Sequence, residues 1–122
     1  MVTVVTVVGQ WLRNTRALAE NKFYQIARGS DGVKVIVHYP VDSTMLPYVL
    51  KHWERHSPDG FEFGYGGSGP ADLARSILID YSGDEPPREV YNLFKWHFLA
   101  GAKGDYVVIT SDQIKEFLNR LP

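Results

Sequence analysis

Gly60-Phe61-Glu62-Phe63-Gly64-Tyr65-Gly66-Gly67-Ser68-Gly69-Pro70-Ala71-Asp72-Leu73 holds five of the chain's eleven glycines and runs straight into its clearest amphipathic segment. Phe61 and Phe63 alternate with Glu62, the period of a strand with one buried face. The glycines that follow permit positive φ and close backbone approach. Pro70 suits the first helical position, where its missing N–H would have had no partner. With Gly69 or Ser68 as the cap, Asp72 falls in the first turn and complements the helix dipole. Leu73, Ile77, Leu78 and Tyr81 then recur at helical spacing and mark the core-facing side. The stretch reads as strand, glycine loop, helix.

A helix N-terminus behind a glycine turn offers free N–H donors and a positive dipole end to an anion. Gly64 to Gly69 satisfies the G-x-G-x-x-G string, but no second strand follows to complete a βαβ unit, so a dinucleotide fold is not indicated. No Lys follows the last glycine, so a Walker-type phosphate loop is not indicated either. The competing reading is that the glycines only permit a tight, buried turn.

The 122 residues suit one domain with a single core. A net charge of −1 argues against non-specific coating of nucleic acid. The absence of cysteine excludes disulfides, thiol catalysis and cysteine metal sites. The apolar start, Val2 to Val8, is a strand's length without signal-peptide features, and no segment is long enough for a bilayer span. The expected compartment is the cytoplasm, with no cofactor and no membrane partner.

Working outward, Met1–Val8 reads as a strand and Gln10–Asn21 as a short helix with Trp11, Leu12, Leu18 and Ala19. Phe23–Ala27 and Val33–Val37 are strand-like runs around Arg28-Gly29-Ser30-Asp31-Gly32, and Asp31-Gly32 is hairpin chemistry. Leu46, Val49, Leu50 and Trp53 have helical spacing, although Pro47 forces any helix to begin there. Arg88–Ala100 reads as a second long helix with Val90, Tyr91, Phe94, Phe98 and Leu99 inward and Gly101 as C-cap. Tyr106–Ile109 is a last strand. Thr110-Ser111-Asp112-Gln113 fits a capping box that starts a helix carrying Ile114, Phe117, Leu118 and Leu121. The expected fold is α+β: a small, mostly antiparallel sheet from the N-terminal strand, the hairpin, the Phe61 strand and the Tyr106 strand. Two longer helices and a C-terminal helix pack mainly on one face.

His52-Trp53-Glu54-Arg55-His56 places two histidines at i and i+4, but the Glu is misplaced for the H-E-x-x-H string, so no metal site is expected. His56-Ser57-Pro58-Asp59-Gly60 gathers His, Ser and Asp. Neighbours in sequence rarely face each other as a triad, and turn chemistry explains the same letters.

The string HSPDGFEFGYGGSGPADLA, His56 to Ala74, resembles the motif of a family of uncharacterised small proteins of bacteriophage, plasmid and prophage genomes. That family usually has Trp where this chain has Phe63. The Tyr24–Val37 hairpin, Tyr91-Asn92-Leu93-Phe94-Lys95, and the Tyr106–Leu118 strand and helix are also similar. The resemblance spans about Lys22 to Leu121, so Met1–Asn21 looks like an addition. It implies a setting rather than a mechanism: an accessory protein of a mobile element, acting inside a host cell.

The leading functional expectation is a non-enzymatic protein that binds a phosphate-bearing small ligand, a nucleotide such as a host immune signal. Gly64, Gly66, Gly67, Ser68 and Gly69 would supply N–H groups and a hydroxyl. Tyr65 or Trp96 would stack on a base, and Arg75 or Lys95 would neutralise phosphate. His56 and Asp59 flank the loop. A second expectation is an anti-defence or regulatory protein acting by contact with a host protein. A homodimer or higher homo-oligomer fits either, since strand edges recruit partners. A small nucleotide-processing enzyme using His56, Asp59 and Asp72 is the third.

Overall fold

The computed structural model describes residues 8–12 and 21–121. Four strands, β1 (Phe23–Gly29), β2 (Gly32–His38), β3 (Tyr48–Val49) and β4 (Tyr106–Thr110), form one antiparallel sheet in the order β3-β2-β1-β4. Beyond a short helical run over 8–12, the helices among the described residues are α1 (Ser68–Ser82), α2 (Arg88–Phe94), a π-helical turn continuing it (Lys95–Leu99), and α3 (Ser111–Asn119). The protein is α+β.

The hairpin forms where Asp31-Gly32 places it: Gly29 pairs with Gly32, and Gly32 takes φ 99°, which a residue with a Cβ resists. Alternation then sorts the sheet into two faces. Tyr24 pairs with Val37 and Ile109, and Ile26 with Val35 and Val107, on the inner face. Four of these, with Ile109, are fully or almost fully buried, in one core with Leu73, Ile77, Val90, Phe94, Ile114 and Phe117 of the helices. The opposite face, with Gln25, Ile36 and Val108, stays partly open.

Helix α1 is the centre of the molecule. Twelve of its fifteen residues are buried, so the expected one-sided stripe understates its packing. Its small residues Gly69, Ala71, Ala74 and Ser76 let neighbours approach from other sides as well. Gly83, at φ 76°, ends it by donating its N–H to the Ile79 carbonyl. The capping box of α3 forms as expected: the Gln113 N–H donates to Thr110 Oγ1 at 3.1 Å, and the Thr110 N–H to Gln113 Oε1 at 2.9 Å.

Several expectations are corrected. Phe61–Phe63 is not a strand. Phe61 and Phe63 do point inward and are buried, but they join no ladder and are held by side chains. The fourth strand is instead Tyr48–Val49, inside the run with helical spacing. Pro47 lacks a donor for a helix, while the free edge of β2 offers ladder partners: Val49 lies opposite Ile36, and the Leu50 N–H donates to the Val35 carbonyl at 2.9 Å. Arg88–Ala100 is not uniformly α-helical, because the Ala100 N–H reaches back five residues to the Lys95 carbonyl at 2.8 Å. Gly101 takes no left-handed cap conformation. Helix α1 begins at Ser68 with Gly67 as cap, which leaves Pro70 third and Asp72 beyond the first turn. The strand expected at Met1–Val8 lies outside the described residues except for Val8, which opens a helical run over 8–12. The helix expected over Gln10–Asn21 is described only at its start. Val8 and Trp11 belong to the core.

Candidate functional site

The approach to the glycine loop is fixed by one arginine. Arg28, at the end of β1, donates from Nε and Nη2 to Glu62 Oε1 at 3.2 and 2.9 Å and from Nη2 to the Phe63 carbonyl at 2.7 Å. Its Nη1 reaches the Gly104 carbonyl at 3.1 Å and Asp105 Oδ1 at 2.8 Å, and its guanidinium lies 4.2 Å from the Phe63 ring centroid. One planar, multi-donor side chain thus joins the hairpin, the 62–63 segment and the entry to β4. The next residue, Gly64, at φ 94°, donates its N–H to the Leu99 carbonyl at 2.8 Å, locking the loop to the end of the π-helical turn.

Beyond Gly64 the loop carries two half-exposed rings. A Cβ on Gly66 would collide with the Trp96 ring, and one on Gly67 with the Tyr65 ring. A Cβ on Gly69 would stand 2.7 Å from Glu62 Cβ. The glycines are therefore where aromatic rings and chain lie directly on backbone. Tyr65 and Trp96 remain 52% and 61% exposed, and Lys95 Nζ sits 4.9 Å from the Trp96 ring centroid. Helix α1 starts here with no side-chain cap. Its first intrahelical bond runs from the Ala71 N–H to the Gly67 carbonyl, so the N–H groups of Ser68 and Gly69 have no acceptor within the helix. The structure thus gathers Gly64 to Ser68, Lys95 and Trp96 into one surface, with Gly69 buried behind it against Glu62.

It gives the other candidate residues different tasks. Arg75 is largely buried and forms a two-pronged pair with Glu85 at 2.7 and 2.7 Å, with a further bond to the Trp53 carbonyl at 2.7 Å. His56 Nε2 lies 2.8 Å from the Tyr91 hydroxyl. Asp59 is exposed in the turn, where the Ser57 hydroxyl donates to the Gly60 carbonyl.

Asp72 does not serve the helix dipole. Fully buried, its carboxylate accepts from the backbone N–H groups of Arg55, His56 and Ser57 at 3.2, 2.9 and 3.0 Å, and contacts His52 Nε2 at 2.8 Å. It shapes the whole 52–57 loop. Burial pushes its pKa up, but the His52 bond and the three N–H bonds outweigh that and hold it below the ordinary carboxylate value. A second polar cluster lies at the far end of α1. Asp80 accepts from Tyr24 at 2.7 Å and Tyr48 at 2.6 Å and pairs with buried Lys22 at 2.9 Å. Burial first, and then the charge of Asp80, raises the Tyr24 pKa; burial and the hydrogen bond to Asp80 raise that of Tyr48.

Sequence reasoning missed Arg28 and the loop-shaping task of Asp72. Both act on partners remote in the chain, and neither stands in a motif that signals it. Among the described residues no group of three His, Asp or Glu side chains is placed to hold a metal ion, and no helix is long and apolar enough to cross a membrane.

The pattern of a known family, DUF6166, matches residues 24–120. The chain belongs to that family. DUF6166 is a family of unknown function, and its match begins in β1 and ends just past α3, taking in the hairpin, the Asp72 loop, the glycine loop and the π-helical turn. Comparison with curated proteins and with solved structures gives no match.

Proposed function

We propose that this DUF6166 protein is a non-enzymatic binding protein for a phosphate-bearing small ligand with a flat base, of the nucleotide class. The observation that carries the reading is the pair of half-exposed rings, Tyr65 and Trp96, laid on glycine backbone beside the uncapped start of a fifteen-residue helix. A base stacks on an outer ring face, and the N–H and hydroxyl of exposed Ser68 and Lys95 meet the phosphate, with buried Gly69 shaping the helix start behind them. Arg75 and His56 keep their structural partners and take no part. The setting is that of a mobile-element accessory protein in the host cytoplasm, where capture of a nucleotide signal would silence it.

Native mass spectrometry of the protein purified from cells, repeated after denaturation, tests this. The expected result is a nucleotide mass that denaturation releases and that Trp96→Ala and Gly67→Val lose while remaining folded. An apo mass unchanged by added linear and cyclic nucleotides would overturn the proposal. A second reading, contact with another protein, is supported by the exposed apolar side chains of Val41, Met45, Leu46, Val49 and Trp53 in and beside β3. Retention of a host protein on the immobilised wild type but not on Leu46→Asp would favour it.

A further inference from the structure

The π-helical turn sends successive aromatics to opposite sides: Trp96 onto the glycine loop, and His97 and Phe98 toward α3. There they border a cleft of about 360 Å³, near the lower end of the range for small-ligand sites. Its apolar wall is a cluster of rings at steep angles. Phe98 and Phe117 lie 5.6 Å apart at 61°, and His97 lies 4.5 Å from Phe98 and 5.2 Å from Phe117. Buried Phe94 backs them, 4.7 Å from Phe98. Leu121 completes this wall.

The polar rim is rich in donors. The Oε1 of Gln113 is occupied as acceptor in the α3 capping box, which fixes its amide orientation and leaves the Nε2 hydrogens. Of its guanidinium nitrogens Arg120 uses Nη2 alone, on Glu116 Oε1 at 2.6 Å, so its other guanidinium N–H groups and the His97 ring have no hydrogen-bond acceptor among the described residues. Glu116, the one carboxylate on the rim among the described residues, is already matched by Arg120 in an exposed pair that costs little to rearrange. A cleft with an apolar wall of mutually tilted rings and spare donors is complementary to an aromatic ring that packs there edge to face and bears an acceptor anion.

We infer that this cleft is a second binding site, independent of the glycine loop, for a small planar aromatic carboxylate. The ring packs on Phe98, Phe117 and Leu121, and the carboxylate takes N–H donors from Arg120 and Gln113.

Titration of the isotopically labelled full chain with 2-naphthoate, followed by amide correlation spectra, tests it, with neutral 2-naphthamide as control. The expected result is saturable shifts confined to residues 97–98 and 113–121, with naphthamide weaker by about fivefold or more. Arg120→Ala removes the main donor from an exposed position. Gln113→Glu keeps the capping oxygen but replaces the donor amide with a carboxylate; both variants should fold, and each should weaken naphthoate by a similar factor. The inference is overturned by absent saturation at millimolar probe, equal affinity for naphthamide, indifference to both variants, or shifts centred on residues 64–69 and Trp96.

Discussion

Replacing Asp72 by alanine strips three backbone N–H groups and His52 of their common acceptor. A buried donor left unpaired costs about 1–3 kcal/mol. The Ser57 N–H is buried, while those of Arg55 and His56 are partly covered, so the three together amount to roughly 3–6 kcal/mol. That is a large part of the ~5–15 kcal/mol that holds a domain of this size folded. The two oxygens are unequally loaded, and this gives an internal control. Oδ2 takes His52, Arg55 and Ser57, whereas Oδ1 takes only His56. An asparagine can therefore set its oxygen at the Oδ2 position and forfeit mainly the His56 bond and the charge, for about 1–3 kcal/mol. Urea unfolding at pH 7 followed by far-UV circular dichroism, with equal slopes for all variants, reads both values. An Asp72→Ala loss under about 1 kcal/mol, or equal losses for Ala and Asn, would refute the reasoning. The pH dependence has a definite sign. The folded pKa of Asp72 is depressed, so its contribution is fully present above the unfolded value of about 4 and is lost as pH falls through the lower folded value. Wild type should weaken on acidification through that window, and Asp72→Asn should weaken less.

Gly66 has no positive φ, so Gly66→Ala avoids left-handed strain, and the atoms nearest to its new Cβ are those of the half-exposed Trp96 ring. The expected outcome is a red-shifted tryptophan emission with a stability change under about 1 kcal/mol, and an unchanged spectrum would contradict the ring's placement. Of the seven tyrosines, Tyr24, Tyr48 and Tyr81 have raised pKa values, with burial the largest cause in each. Absorbance at 295 nm should therefore plateau short of seven phenolates until the protein unfolds. Since raised folded values favour the neutral form, stability is full below the unfolded value of about 10 and is lost as pH rises beyond it. Smooth titration of all seven near pH 10 in the folded protein would contradict the burial of the Asp80 cluster.

What the sequence determined by itself was local. The Asp31-Gly32 hairpin, the Thr110–Gln113 capping box and the apolar spacing of α1 and α3 are short-range chemistry, in which a turn or cap is chosen by residues within four positions of each other. The α+β class and the gathering of glycines ahead of a helix were legible for the same reason. Where distant partners compete, local pattern was not enough. Phe61 and Phe63 alternate like a strand, yet Arg28 and the core claim them before any ladder does. Tyr48–Val49 carries helical spacing, yet Pro47 withholds a donor and β2 supplies an edge. Asp72 looks like a helix-start carboxylate, but three N–H groups from 15–17 residues away reach it first. The glycines that read either as an anion-binding loop or as a tight turn carry the Tyr65 and Trp96 rings on their backbone, and only the π-helical turn decides where Trp96 falls. A buried hydrogen-bonding group takes whichever partner the folded chain brings within about 3 Å, and that distance is a property of the tertiary structure, not of spacing along the chain.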